Sequence, residues 1–236
     1  MENPEMIEQL EKISTPIVYD GIEKFHIQSN TLFYTDETLR CIFPEKGAMC
    51  GYACTAKITG VLPKAESEIV IPSKAVWEYV YDSRKPGVMV IEDIDGDPKR
   101  ACAWGDFSAS IFEALGCIGT LTNGFVRDVD VVKDMPFKFF ARSVIAGHGN
   151  IRYKEIGVPV RIAGMTINPG DLIHADIHGA VVIPGELDLG ELLAMIQKCL
   201  DSEGKVISYC KGSNFTLEGL FAEVDEHDKR SGSHFK

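Results

Sequence analysis

The chain has 236 residues, 45% of them hydrophobic and 25% charged, an ordinary globular composition that can bury its own core without staples. Its 24 Lys+Arg against 35 Asp+Glu give a formal net charge of -11. That balance excludes the basic footprint of a nucleic-acid binder, and an anionic substrate would need a local cationic site to overcome it.

Glu2, Glu5, Glu8 and Glu11 stud the first dozen residues, and no basic segment precedes an apolar one, so no secretory leader is expected. No stretch approaches the roughly 18 apolar residues of a membrane span. The seven cysteines are odd in number and irregular in spacing, which suits reduced thiols in a cytoplasmic protein. Cys50 and Cys54 are followed by no second Cys/His pair at zinc-site spacing, and all seven read as small buried side chains.

Residues 4–12 read as an amphipathic helix, with Met6, Ile7, Leu10 and Ile13 at helical spacing. Thr15-Pro16 reads as cap and first-turn pair of a second helix over 16–24. Cys50 to Val61 is rich in β formers and predicts a strand. Pro72-Ser73 opens a helix to about Tyr81, stopped by Lys85-Pro86-Gly87. Val88 to Ile91 is an unbroken apolar run, the pattern of a strand buried on both faces. Asp106 as N-cap and Gly116 just past the end frame a helix of about three turns. Ile118 to Thr122 follows as a strand, Asn123-Gly124 as a turn, and Val126 to Asp130 as its exit. Residues 100–132 thus form a βαβ-like unit, in which the helix N-terminus and Arg127-Asp128 can face one cleft.

Phe137 to Ala146 is a further apolar segment, and Val158–Ile162 with Met165–Ile167 predicts a hairpin around Ala163-Gly164. Pro169-Gly170-Asp171 turns into a strand at Leu172–Ala175, and Gly179–Pro184 makes another. Residues 186–203 read as a last long helix with Leu189, Leu192, Leu193, Ile196 and Leu200 on one face. Without repeats or linkers, residues 1–225 read as one domain and 226–236 as a flexible tail.

Phosphate-loop, dinucleotide and serine-hydrolase motifs are absent, which weakens nucleotide and acyl-transfer readings. The chemistry-bearing cluster is Asp106, the helix it begins, and Arg127-Asp128. First-turn amides of Phe107 and Ser108 can hold a carboxylate. Arg127 offers a planar fork to a carboxylate or keto oxygen. Asp128 can ligate a hard divalent cation, which uses few protein carboxylates. Cation and arginine together would polarise a 2-keto group and stabilise an enolate. The plain alternative is a helix cap beside a surface ion pair. His148, His174 and His178 read as structural, since the segment between the last two is a turn.

Trp104-Gly105-Asp106, Gly116-x-x-Gly119, Asn123-Gly124 and Arg127-Asp128, with twenty positions between Asp106 and Arg127, resemble the RraA-like superfamily. Thr15-Pro16 to Asp20, Pro86-Gly87-Val88 and Pro169-Gly170-Asp171 with Ala175-Asp176-x-x-Gly179 extend the likeness over roughly residues 13–215. That group contains class II 4-hydroxy-4-methyl-2-oxoglutarate / 4-carboxy-4-hydroxy-2-oxoadipate aldolases and protein regulators of ribonuclease E.

The resemblance implies a swivelling β/β/α-type α/β fold, a single domain with N-terminal helices and a C-terminal helix. It further implies a homo-oligomer, a trimer or dimer of trimers, with sites between subunits. It implies Mg2+ or Mn2+ on Asp128, keto-acid binding by Arg127, and backbone contacts to the substrate from Gly105, Phe107 and Ser108. Asp106, with a glutamate from a neighbouring copy, would handle a proton at the pyruvate enolate, and Glu203 is the candidate for that glutamate. The activity implied is cleavage of a 4-hydroxy-2-oxo acid or decarboxylation of oxaloacetate. One departure stands out: where the aldolases usually carry an acid three residues after the Asp of Arg-Asp, this chain has Val131, with Asp130 one place earlier. The alternative is a non-catalytic regulator that binds a ribonuclease or another protein partner.

Overall fold

The computed structural model describes residues 4–27, 33–97 and 99–231. The chain opens with α1 (Pro4–Leu10) and α2 (Thr15–Glu23), then β1 (Arg40–Cys41) and β2 (Met49–Thr59). Two crossovers follow: α3 (Ser73–Asp82) into β3 (Gly87–Asp93), and α4 (Asp106–Ala114) into β4 (Cys117–Thr122). Then come β5 (Phe125–Val126), α5 (Val129–Val132), β6 (Lys138–Ala141), β7 (Ser143–Val144) and β8 (Arg152–Ile156). A hairpin of β9 (Val160–Ile162) and β10 (Met165–Ile167) precedes β11 (Leu172–Asp176) and β12 (Gly179–Ile183). The described chain closes with α6 (Leu189–Lys211) and α7 (Leu217–Ser231).

Eight strands form one nearly closed, barrel-like sheet, in the order β1-β6-β4-β3-β2-β11-β12 with β8 also on β2. The β2, β3, β4 and β6 neighbours run parallel, and the other pairs are antiparallel. The apolar run Val88–Ile91 lies in the centre, with no solvent exposure at any of its four residues. Each such side chain contributes about 1.5–3 kcal/mol of burial.

Alternation along β2 and β3 divides the core. Cys54, Ala56, Met89 and Ile91 face α3 and α4 together with Trp104 and Phe112. Ala53, Val88 and Val90 face the other way, onto the β9–β10 hairpin and β11. A third cluster packs α1, α2 and α6 over Cys50, Tyr52, Leu172, Val181 and Ile183. The hairpin turn at Ala163-Gly164 has φ of 46° and 82°, the double left-handed conformation that matches strand twist.

Several boundaries differ from the sequence expectation. Ser14, not Thr15, is the residue before α2, because the Thr15 side chain turns inward to the core. The helix expected over 186–203 continues to Lys211, and α7 packs back on it, so the C-terminus is a helical hairpin rather than a single helix. Residues 226–231, the start of the segment read as a tail, belong to α7. Residues 232–236 lie outside those described. β8 had no expectation at all, since Arg152-Tyr153-Lys154-Glu155-Ile156 lacks clean alternation. Among the described residues no helix is long and apolar enough to cross a membrane.

Candidate active site

Parallel strands joined by helices leave their crevice at the carboxyl ends of the strands. Here the loop leaving β3 and the loop leaving β4 meet at that end. Asn123 ties them: its Oδ1 accepts from the Asp93 amide at 2.7 Å, and its Nδ2 donates to the Asp93 carbonyl at 3.1 Å. Trp104 and Val126 form a parallel bridge, and the Arg127 amide donates to the Trp104 carbonyl at 2.9 Å. The Trp104 ring anchors the arrangement below, packed at tilted angles against Phe112, Phe137 and Phe139. Its buried Nε1 has no partner among the described residues.

This zipper brings Gly105, at the start of α4, against the Arg127-Asp128 pair. Arg127 Nε lies 3.2 Å from Asp128 Oδ2, with side chains 37% and 33% exposed. A β-carbon on Gly105 would fall 2.2 Å from Asp128 Oδ2, so only glycine leaves room for the carboxylate. Asp128 itself has φ 54° and ψ 33°, a left-handed conformation uncommon outside glycine. It stands at the start of α5, yet its side chain caps no amide there. Aspartate is among the few residues other than glycine that adopt this region readily.

The start of α4 differs from expectation. Gly105 occupies the cap position and Asp106 the first helical turn. Asp106 Oδ1 accepts from the Phe107 amide at 2.7 Å, so that amide is engaged within the chain. By helix geometry the Ser108 amide remains a first-turn donor. The Phe107 ring is 74% exposed. Asp130 and Val131 are both exposed on α5, and Val131 carries no carboxylate. Cys102, in the same loop, is buried, and burial pushes its thiol up to about 11, which favours the neutral thiol.

Glu203 does not join this cluster within one chain. It lies on α6 with Asp20 and Lys24 as charged neighbours, in the layer built on α1 and α2. The histidines separate as expected. His174 is fully buried on β11, with Nδ1 2.9 Å from Thr15 Oγ1 and Nε2 3.0 Å from the Leu10 carbonyl. His178 sits in the turn after β11, its amide bonded to Asp176 Oδ1. Asp176 Oδ2 also accepts from the Thr15 amide, a bond that sequence pattern gave no sign of. Among the described residues no cluster of three or more His, Cys, Asp or Glu could hold a metal ion.

With this geometry in hand, comparison with known proteins becomes informative. The family model RraA-like, Aldolase/RraA, matches residues 15–182. A Halalkalibacterium halodurans protein with the provisional name 4-hydroxy-4-methyl-2-oxoglutarate aldolase is 34% identical over 132 residues, 56% of this chain and 62% of that one. The match therefore spans less than two thirds of that relative. A solved structure of an uncharacterized Pseudomonas syringae pv. tomato protein superposes with TM-score 0.71 at 24% identity, covering 94% of each chain. Streptomyces coelicolor RraAS2, described as an unusual member of the RNase ES inhibitor RraA protein family, superposes with TM-score 0.63 at 20% identity, covering 86% of this chain and 94% of that one. These two share the fold. Through the family match over its sheet, its first crossovers and the Arg127-Asp128 loop, the chain belongs to the RraA-like (Aldolase/RraA) family.

Proposed function

We propose that the protein is a carbon–carbon lyase dependent on a divalent cation, which generates pyruvate enolate by cleaving a 4-hydroxy-2-oxo acid or by decarboxylating oxaloacetate. The observation that carries this reading is the Arg127–Asp128 pair seated on Gly105 at the carboxyl ends of the parallel strands. The provisional aldolase name of a relative agrees with it.

The residues present fit a hard cation. One partly exposed carboxylate, held in a fixed pose with one oxygen outside the ion pair, is the donor set of Mg2+ or Mn2+, which complete their shells with water. When bound to Asp128, such a cation would supply electrophilic polarisation of the keto oxygen.

The chain's own groups do the rest. Arg127 keeps its Nη atoms free of partners among the described residues and can place its fork on the keto-acid oxygens. The Ser108 amide at the α4 N-terminus and the backbone of Gly105 and Phe107 border the carboxylate position. Asp106 has a second oxygen beyond the one on the Phe107 amide, and it can orient a water for proton transfer at the enolate carbon. Four of the best-formed clefts of the chain are lined by neither Arg127 nor Asp128. The reading includes a second copy, in a trimer or dimer of trimers, that covers the one-third-exposed Arg127–Asp128 pair and brings its Glu203 as the added acid.

Asp128→Ala tests the reading. Pyruvate release from oxaloacetate with Mg2+ should fall by about 10²–10³-fold, the scale of losing one preorganised electrostatic group. Chelation of the wild type should do the same and reverse on adding Mg2+. Unchanged turnover in the variant would overturn the proposal.

A further inference from the structure

The segment that carries Asp128 needs a brace from outside itself. α5, which Asp128 begins, has only four residues, too few for a helix to stand alone. Its first backbone bonds run from the Val131 and Val132 amides to the Asp128 carbonyl, each at 3.0 Å. These bonds fix the peptide that follows Asp128. At the far end, the last carbonyls of a helix have no partner within it.

Lys46 supplies that partner. It ends the short turn Pro44–Lys46, between β1 and β2. Its Nζ donates to the carbonyls of Val132 at 2.7 Å, Met135 at 2.7 Å and Phe137 at 2.8 Å. An ammonium has three donors, so all of them serve one stretch of main chain and none is left for an anionic substrate. Val132 joins the two ends: its carbonyl accepts from Lys46, and its amide donates to Asp128. The turn is itself anchored. Lys46 Nζ lies 4.1 Å from the centre of the Phe43 ring, which stacks on Phe139 at 5.6 Å. Phe139 packs in turn against Trp104, the residue before Gly105. Gly105 and Asp128, the two sides of the site, are thus tied to one aromatic cluster, and Lys46 is the tie on the Asp128 side.

We infer that Lys46 is a positioning residue, which sets the pose of the Asp128 carboxylate through α5 and thereby the affinity of the site for a divalent cation. The inference rests on the lyase reading above. Bonds from an ammonium to carbonyls are charge-assisted and stronger than neutral ones. Losing Lys46 would release three carbonyls at once and free α5 to turn, and the aspartate at its start would turn with it.

The experiment measures Mn2+ binding to the full chain by electron paramagnetic resonance, and hydrogen exchange over residues 129–132 by mass spectrometry. Lys46→Met keeps the length of the side chain and removes every donor. Lys85→Met is the control. Lys85 Nζ likewise donates to main-chain carbonyls, those of Val80 and Ser83, but at the end of α3, where the parallel strands begin. Lys46→Met should weaken Mn2+ binding by about tenfold or more, the scale seen when a group supporting a metal ligand is lost. Exchange over 129–132 should quicken with it. Lys85→Met should leave both unchanged. Lys46→Gln, which keeps an amide donor, should fall between, and it carries the comparison if Lys46→Met does not fold. Wild-type Mn2+ binding or wild-type exchange in the Lys46 variants, or an equal loss in Lys85→Met, overturns the inference and leaves the lyase reading standing. Absence of both Mn2+ binding and pyruvate release in the wild type overturns the lyase reading and the inference with it.

Discussion

Two aspartates on opposite layers of the molecule are held in opposite ways. Asp176, at the end of β11, is 8% exposed and gives one oxygen to the Thr15 amide and the other to the His178 amide. Beside it His174 uses both ring nitrogens within the protein. Asp128, after β4, gives no oxygen to a helix amide, keeps one third of its side chain in solvent and sits in a left-handed backbone. The first arrangement satisfies every polar group and holds α1 and α2 onto the sheet. The second leaves hydrogen-bonding capacity unused at a strained position. Polar groups that stabilise a fold are satisfied within it, whereas groups that act on a ligand are kept ready for one.

The contrast can be broken most strongly at Asp128. Asp128→Gly should lower pyruvate formation by about 10²–10³-fold. The same change should leave thermal stability equal or higher, since glycine relieves a left-handed conformation costing other residues roughly 1–2 kcal/mol. A melting curve that drops along with activity would make Asp128 a structural residue. Gly105→Ala comes next. Its added β-carbon would meet Asp128 Oδ2 at 2.2 Å, and displacing that carboxylate by an ångström should cost about 10²-fold in turnover. Circular dichroism should stay native, and full activity would show that the carboxylate need not rest on Gly105.

The satisfied layer should respond in the reverse sense. Thr15→Val removes the hydroxyl that faces His174 Nδ1. Leaving that buried nitrogen without a partner should cost about 1–3 kcal/mol in urea denaturation, with kcat for oxaloacetate unchanged. Loss of kcat at native stability would contradict the division between the layers.

The pH dependence of stability sharpens the comparison further. Burial lowers the His174 pKa, against smaller raising effects from the Leu10 carbonyl and Asp176. A base with a depressed folded pKa favours the native state when neutral. Its contribution is therefore complete above the unfolded value of about 6.5 and is lost as pH falls through the folded value. The melting temperature should drop below about pH 6.5, and a flat profile down to pH 5 would remove His174 from this role. The smallest effect belongs to Asp20, whose carboxyl is raised by burial first and then by Glu203 and Glu23. Its contribution is present below the unfolded carboxyl range and lost as pH rises through the folded value. Asp20→Asn should thus raise stability slightly at neutral pH, by about 0.5 kcal/mol or less.

Much of this was written locally in the chain. The unbroken run Val88–Ile91 marked a strand covered on both faces, and Ala163-Gly164 marked a hairpin turn, because period and turn chemistry are properties of neighbouring residues. The Asp106-to-Asp128 segment announced a crossover with its charged loop at one end. Three features escaped that reading. β8 is a mixed polar strand whose partner β2 lies about a hundred residues away. α7 is a polar helix placed by its packing on α6. The cap of α4 is Gly105, where a side chain would run into the carboxylate of Asp128.

By itself the sequence determined most of the helices and central strands, their order and the pair Arg127-Asp128, since these follow from spacing and residue type. Only the tertiary structure decided which loops touch. The Trp104–Val126 bridge draws the loop after β3 against the loop after β4, and that contact places Gly105 beneath Asp128. Such contacts join residues some twenty positions apart through a shared buried tryptophan, and their geometry comes from how the core packs, which no local pattern along the chain encodes.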